Sequence, residues 1–271
     1  MDILKGRNIV WMVGMPIFFG LIWLGGYFFY GLIQVVIILM IKEYISLVNR
    51  LNTKPSLIIL ISASILIAQF YFSGSLGIFL NLEPFIFILI FILFIYELFK
   101  IEKNPFFNIS MTIFGIFYIP FLLGTVIQLR QFDQIMYTNF TYALFISIWA
   151  CDTAAFIFGS FFGKRKIFPN ISPKKTWEGS VAGLVATILV FFIFFEMELL
   201  GKTGNLYQVI ILGTVVSIFG QIGDLFESKL KREAEIKDSG TLLLGHGGVL
   251  DRFDSLIFAS PVIYFYINFL I

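Results

Sequence analysis

The stretch that decides the fold is residues 8–41, NIVWMVGMPIFFGLIWLGGYFFYGLIQVVIILMI, in which no side chain is charged. A membrane-spanning helix needs roughly 20 mostly apolar residues, so this stretch is too long for one span and suits two. Gly25, Gly26 and Gly31 indicate the region where the chain would turn. The sequence therefore begins with two predicted membrane spans.

The composition of the whole chain agrees with a lipid environment. Of its 271 residues, 59% are hydrophobic and 13% are charged, and the mean hydropathy is +0.93. Soluble globular proteins are about a quarter charged, so a water-soluble globule of this size is excluded. The single cysteine, Cys151, excludes an intrachain disulfide. We predict one integral membrane domain over residues 1–271, with N-terminal helices in 1–137 and catalytic helices plus two cytoplasmic loops in 138–271.

Seven further apolar runs predict seven further spans. They are Ser56 to Ser73, Phe85 to Phe99, Phe107 to Leu129, Thr138 to Phe162, Gly179 to Phe195, Leu206 to Gly223 and Ser255 to Ile271. Pro120 is expected to kink the third of these, because proline removes a helical hydrogen bond. The predicted fold class is all-α, a polytopic membrane protein with about nine transmembrane helices.

The basic residues predict the orientation of the chain. With a cytoplasmic N-terminus, every Lys and Arg except Arg130 and Lys202 falls on the inner side. This is the asymmetry of the positive-inside rule. We therefore predict a multi-pass protein of the cell inner (cytoplasmic) membrane. The polar loops 163–178 and 224–254 would then both be cytoplasmic, and the active site is expected there.

The second loop carries acidic residues at helical spacing. If the eighth span continues as a helix beyond the membrane, Asp224 and Glu227 share one face with Ser228 and Lys231. An ionisable group directly after an apolar span, as Asp224 is, is costly unless it has a function. A solvated charged loop is the alternative, and it accounts well for Glu233, Glu235 and Asp238.

Three aspartates are candidate metal ligands. Asp251 and Asp254 stand three residues apart at the start of the ninth span, and Asp224 ends the eighth. Carboxylates from adjacent helix ends are suited to one Mg²⁺, which combines a few carboxylates with substrate phosphate oxygens. A second cation is left open.

Other polar residues have weaker signals. His246, the only histidine, lies in a Gly-rich tract whose Gly247 and Gly248 allow close backbone approach to a ligand, but a simple turn explains the tract equally well. Ser172 followed by Pro is a good helix start, which would point free N–H groups, Lys174 and Lys175 at an anion. Buried membrane acids such as Asp152 usually face a cavity or a partner, and a structural ion pair is the alternative.

These motifs resemble one family. The run Ser228-Lys-Leu-Lys-Arg232, then Lys237-Asp238 and His246-Gly-Gly-Val-Leu-Asp-Arg-Phe-Asp254, is similar to the signature of phosphatidate cytidylyltransferases, the CDP-diacylglycerol synthases. Asp152-Thr-Ala-Ala-Phe and Ser172-Pro-Lys-Lys-Thr-Trp-Glu-Gly179 also resemble this family. The resemblance covers the C-terminal half by motif. One departure is Leu244, where the family usually has proline.

The resemblance implies CTP and phosphatidic acid as substrates, Mg²⁺ as cofactor and a membrane lipid environment, with no nucleic-acid partner and often a homodimer. It supports Asp224 and Asp251 as metal ligands with Lys231 near the site. We assign catalytic roles to Asp224, Lys231, Asp251 and His246, and metal binding to Asp224, Asp251 and Asp254. Candidate substrate-binding residues are Ser172, Lys174, Lys175, Thr176, Ser228, Arg232, Lys237, Gly247, Gly248, Arg252 and Asp152.

Three other functions stay open at this point. The same chemistry could act on another lipid phosphate, because apolar tails carry no distinguishing motif. An ion-coupled transporter would account for Asp152 and Asp224 but not for the basic loops. A lipid kinase would transfer the γ-phosphoryl group of ATP and release ADP.

Overall fold

The computed structural model describes residues 14–74, 82–100, 104–201, 205–240 and 247–269. Within these ranges the chain forms ten α-helices and no β-strand, apart from an isolated β-bridge between Lys166 and Thr176. The all-α prediction is confirmed. The described residues divide into two compact units, the first containing residues up to Gln131 together with Glu233–Arg252 and the second containing Phe132–Arg232 and the residues from Phe253 onward.

The helices of the N-terminal half alternate with short connections. They are α1 (Met15–Leu24), α2 (Gly26–Asn49), α3 (Leu57–Gly74), α4 (Leu82–Phe99), α5 (Pro105–Ile116) and α6 (Thr125–Met136). A π-helical turn, Phe117–Phe121, follows α5 and contains Pro120. The predicted kink at Pro120 is therefore confirmed as an interruption of the helix.

Four longer helices form the C-terminal half. They are α7 (Phe140–Phe162), α8 (Trp177–Glu196), α9 (Leu206–Glu233) and α10 (Leu250–Phe269). Each overlaps one predicted span. Helix α9 extends ten residues beyond the predicted apolar end at Gly223, as the spacing of its acidic residues suggested.

The first predicted turn is at Gly25 and Gly26. Gly25 has φ +62° and ψ −152° and separates α1 from α2, and Gly26 has φ +48°. These angles favour glycine because a Cβ would be strained there. Gly31 lies inside α2, so the turn does not extend to it.

The helices have the length and surface of membrane spans. In the described part of the chain, five helical segments are long and apolar enough to cross a membrane: Gly26–Asn49, Pro105–Met136, Phe140–Phe162, Trp177–Glu196 and Leu206–Glu233. Shorter apolar helices cover Met15–Leu24, Leu57–Ser73 and Pro84–Phe99. Large apolar side chains such as Leu98 and Phe161 point outward, each 78% exposed. Such a surface suits lipid, so the chain is a polytopic membrane protein; the number nine and the cytoplasmic N-terminus stay predictions.

Small residues bring α7 and α8 into close contact in the second unit. A Cβ on Gly183 would lie 2.8 Å from Cys151 Sγ, and one on Gly179 would lie 2.6 Å from the Ala155 carbonyl oxygen. The Gly179–Gly183 pair thus packs helices together, as its small-xxx-small spacing predicts.

Two buried charged side chains form hydrogen bonds with backbone groups at helix ends. Arg130, in the first unit, donates to the carbonyl oxygens of Ile22 (2.6 Å) and Trp23 (3.1 Å) in the last turn of α1. Asp133, in the second unit, accepts from the backbone N–H groups of Phe140 (2.9 Å) and Thr141 (2.7 Å) at the start of α7. Both side chains satisfy backbone groups that a helix end leaves without intrahelical partners. Arg130, one of the two exceptions to the predicted charge asymmetry, therefore has a structural role.

Candidate active site

The C-terminal end of α9 presents a stripe of polar side chains. Glu227 is fully buried, and its carboxylate forms an ion pair of 2.5 Å with the Lys231 ammonium group, one turn further on. The Ser228 hydroxyl lies 3.5 Å from Asp224 Oδ1. The predicted sharing of one helix face by these four residues is confirmed. A buried pair of this kind is costly to desolvate, so it is weak evidence for a purely stabilising role.

A basic residue of the first polar loop joins this stripe. Lys175 Nζ lies 2.6 Å from Asp224 Oδ2, with both side chains about a quarter to a third exposed. Arg232 Nε, at the end of α9, donates to the Ile171 carbonyl oxygen over 3.2 Å. The loop before α8 and the end of α9 are thus connected in the second unit.

The prediction that a helix begins at Ser172 is wrong. Ser172 and Pro173 form a turn instead, in which the Lys175 N–H donates to the Ser172 carbonyl oxygen (3.2 Å). Proline favours the second position of such turns. The chain then extends at Thr176, which pairs with Lys166, and α8 begins only at Trp177 with Thr176 as its N-cap.

The loop itself is closed by backbone contacts. The Trp177 N–H donates to the Arg165 carbonyl oxygen (2.9 Å), and Glu178 accepts from the Lys164 N–H (3.1 Å). Thr176 is buried, and its hydroxyl accepts from the Gly179 N–H (3.2 Å). The structure therefore gives Thr176 a capping role, while Lys174 is exposed beside it.

Asp254 is a further buried acid of the second unit. It lies just before the predicted ninth span, and its Oδ1 accepts from the Ser255 N–H (2.6 Å). Gly223 lets α9 approach the backbone of α10 closely, because a Cβ there would lie 2.5 Å from the Asp254 carbonyl oxygen. Burial raises the pKa of the Asp254 carboxyl well above its usual range, and the nearby carboxylates of Asp224, Glu227 and Asp152 raise it further. Asp254 therefore lies in a cluster of four carboxyl groups.

This donor set suits Mg²⁺. Carboxylate oxygens are the ligands that Mg²⁺ prefers, and a divalent cation would offset the repulsion between Asp254 and Asp224. Across the residues that the structure describes, no three His, Cys, Asp or Glu side chains are arranged as a ligand set. Mg²⁺ commonly takes only one or two protein carboxylates and completes its shell with water and substrate phosphates.

Asp251 belongs to the first unit. Its carboxylate accepts from the Gly248 N–H (2.7 Å) and the Ser239 N–H (3.0 Å). Gly247 has φ +81°, and a Cβ there would lie 2.8 Å from Asp251 Oδ2. The two glycines therefore let the backbone wrap closely around this carboxylate. The contact with Asp251 is a reason within the chain itself for the Gly-rich tract, which the sequence connected with a bound ligand.

The remaining predicted residues are on the surface or outside the described ranges. Asp152 on α7, Lys237 after α9 and Arg252 in the first turn of α10 are exposed. His246, which was predicted to be catalytic, and Leu244 lie outside the described residues.

Glu43 is a buried acid that the sequence reasoning missed. It lies on α2, and only 4% of it is exposed. The second span was predicted to end at Ile41, which placed Glu43 in a loop. Its signal was its position: Val36, Met40, Glu43 and Leu47 follow helical spacing and are all buried. An acid on the buried stripe of an apolar helix indicates a specific partner.

The fold and the site define an all-helical, polytopic membrane protein with carboxylates and lysines clustered at one end of a long helix. The chain belongs to the cytidylyltransferase family, which matches residues 5–270. Fifty-four known proteins match it significantly.

Several relatives carry the same name. The chain is 44% identical over 149 residues to the phosphatidate cytidylyltransferase of Bacillus subtilis, an alignment that covers 55% of this chain and 54% of the relative. It is 40% identical over 171 residues to that of Haemophilus influenzae, covering 61% and 59%. With the Synechocystis sp. protein of this name it is 31% identical over 98% of this chain and 97% of the relative. The first two alignments thus span little more than half of each relative.

Proposed function

We propose that this chain is a phosphatidate cytidylyltransferase that transfers CMP from CTP to phosphatidic acid and so makes CDP-diacylglycerol. Family membership over residues 5–270 and the shared name of the relatives support this activity. The distribution of Lys and Arg supports an active site on the cytoplasmic side of the inner membrane.

The observation that carries the proposal is the charged cluster at the end of α9. The Lys175–Asp224 and Lys231–Glu227 pairs lie with the buried Asp254 in one unit. A reaction between two phosphates needs carboxylates that hold a cation and ammonium groups that hold phosphate oxygens. A transporter would need the acids but not these basic partners.

The reaction itself requires mainly positioning and charge neutralisation. A phosphate oxygen of phosphatidate attacks the α-phosphorus of CTP in line, forming a new P–O bond. The bond from the α-phosphorus to the bridging oxygen of the β-phosphate breaks, and pyrophosphate leaves with the electron pair. The attacking phosphate has its second pKa near 6 and is mostly ionised at neutral pH. A strong general base is therefore unnecessary, and we assign His246 a binding role.

Asp224 and Asp254, both of the second unit, would hold Mg²⁺. Asp251, of the first unit, stays a proposed metal ligand on the resemblance in sequence. The cation would supply charge neutralisation of the CTP oxygens and of the departing pyrophosphate. Lys175 would then exchange its contact with Asp224 for a substrate phosphate. Lys231 stays beside Glu227, which keeps its ammonium group oriented near the same helix face.

Two labelled forms of CTP test the activity. Purified protein in detergent receives phosphatidate, Mg²⁺ and CTP labelled at the α- or the γ-phosphate. We expect α-label to enter the lipid and γ-label to remain in the aqueous phase as pyrophosphate. γ-Label in the lipid would identify a kinase and overturn the proposal. α-Label that enters only a different lipid phosphate would identify another CDP-lipid synthase.

A further inference from the structure

Glu43 of α2 binds residues that are 196 to 207 positions away in the chain. Its Oε2 accepts from the Ser239 hydroxyl (3.0 Å) and the Leu250 N–H (2.7 Å), and its Oε1 accepts from the Val249 N–H (2.9 Å). All of these residues belong to the first unit. One buried carboxylate therefore holds the residues on both sides of the 241–246 stretch.

The contact also completes a helix. Val249 and Leu250 stand at the start of α10, where backbone N–H groups have no intrahelical acceptor. A carboxylate at a helix N-terminus is stabilised by these N–H groups and by the helix dipole. Glu43 thus caps α10 from a different helix.

Glycines on the partner segments fit this carboxylate. A Cβ on Gly240 would lie 2.6 Å from Glu43 Oε1, and one on Gly248 would collide with Glu43 Oε2 and Ser239 Oγ. Because glycine has no Cβ, the backbone of both segments can approach the Glu43 carboxylate closely.

Asp251 depends on the same segments. Its carboxylate accepts from the backbone N–H groups of Ser239 and Gly248, the neighbours of the groups that Glu43 binds. Moving Ser239 or the start of α10 would therefore move Asp251 with it. Glu43 contacts no proposed substrate group itself, but it fixes the position of one proposed metal ligand.

We propose that Glu43 is a positioning residue for cytidylyl transfer: it anchors Ser239 and the start of α10 to α2 and so holds Asp251 in place. The inference rests on the proposed function. It gives the N-terminal half, which carries none of the motifs quoted above, a positioning role in the reaction.

Glu43→Gln tests this role, because glutamine keeps the shape of the side chain but replaces one of the two carboxylate oxygens by an NH₂ group. An amide has one acceptor oxygen, so its NH₂ group would face at least one of the three donors that the carboxylate binds. Gly240→Ala disturbs the same contact from the other side. Glu97→Gln is the matched control: Glu97 is also a buried glutamate of the first unit, but it accepts from Asn108 Nδ2 (3.1 Å) and pairs with Lys100.

Two readouts are needed. Hydrogen exchange in the peptide covering residues 247–252 reports the Val249 and Leu250 amides directly and needs no activity. We expect it to be faster in Glu43→Gln and Gly240→Ala and unchanged in Glu97→Gln. The kcat at saturating CTP and phosphatidate, per folded protein, should fall about 10- to 100-fold in the first two variants, since small displacements cost rates of this order. In Glu97→Gln it should stay within about twofold.

The outcomes are separable. A wild-type protein without CMP transfer overturns the proposed function, whatever the exchange data show. Active wild type with unchanged exchange in Glu43→Gln refutes the anchor. Faster exchange with kcat per folded protein equal to wild type shows a purely structural contact and refutes the positioning role.

Discussion

At the residue scale, the candidate site combines two acid–lysine pairs with one buried carboxyl group. Lys175 pairs with Asp224, and Lys231 pairs with Glu227, while Asp254 is buried among carboxylates. Phosphate and a divalent cation are ligands of opposite charge that such a cluster binds together. In the proposed function the lysines would therefore bind phosphate and the carboxylates the cation.

Asp224→Asn is expected to lower turnover about 100-fold or more, because it removes a proposed cation ligand. The ion pair with Lys175 is partly exposed, so its loss should cost at most about 1 kcal/mol of stability. Pyrophosphate release and thermal unfolding in detergent measure the two effects. Glu233→Gln, an exposed residue at the end of the same helix, is the control and should match wild type. Near-normal activity of Asp224→Asn across a Mg²⁺ titration would disprove the assignment.

Asp254→Asn should separate stability from activity. The raised pKa of the Asp254 carboxyl reflects burial and repulsion from Asp224, Glu227 and Asp152. A neutral amide avoids both, so the melting temperature in EDTA should be equal to or above that of wild type, while turnover falls. A clear drop in melting temperature would mean that the carboxylate stabilises the fold, which contradicts this account.

A residue's contacts could be predicted from the sequence when its partners lie nearby along the chain. Glu227 pairs with Lys231, and Ser228 lies 3.5 Å from Asp224, each one helical turn apart along α9, so local spacing was enough to predict their shared face. Glu43 interacts with Ser239 and Leu250, and no local spacing predicts contacts over such a separation. Only its place on a buried helical stripe indicated that it needs a partner.

At the scale of elements, close packing of α7 and α8 rests on glycine. Gly183→Ala should destabilise the protein by about 1–3 kcal/mol, because its Cβ would lie 2.8 Å from Cys151 Sγ and 3.0 Å from the Cys151 carbonyl oxygen. The control is Gly31→Ala on α2, where nothing lies within 4 Å of the added Cβ. That variant should unfold at or above the wild-type temperature. Equal stability of the two alanine variants would argue against tight packing at Gly183.

Element boundaries were predictable where one physical signal dominates. Apolar length located the helices, and Pro120 located the interruption after α5. The start of α8 was misplaced because Ser172 and Pro173 suit a turn as well as a helix N-terminus. The β-bridge between Lys166 and Thr176 favours the turn over the helix start. This contact joins the two sides of the loop, so the Ser-Pro pair alone does not predict it.

At the scale of the whole molecule, the charge distribution predicts the topology. Residue 166 should be cytoplasmic and residue 205 should face the opposite side. Single cysteines in place of Lys166 and Asn205, in a Cys151→Ala background, test this with a membrane-impermeant maleimide. We expect the residue 205 variant to react in intact cells and the residue 166 variant only after permeabilisation. The reverse pattern would invert the topology and move the proposed site to the other side of the membrane.

The central claim, transfer of CMP from CTP to phosphatidate, is tested most directly by pyrophosphate release from the purified protein in detergent with Mg²⁺. We expect pyrophosphate release that requires both CTP and phosphatidate and that ATP does not support. The Asp224→Asn variant should lose this release, and the Glu233→Gln variant should keep it. Release without lipid, or none from folded wild-type protein with both substrates, would contradict it.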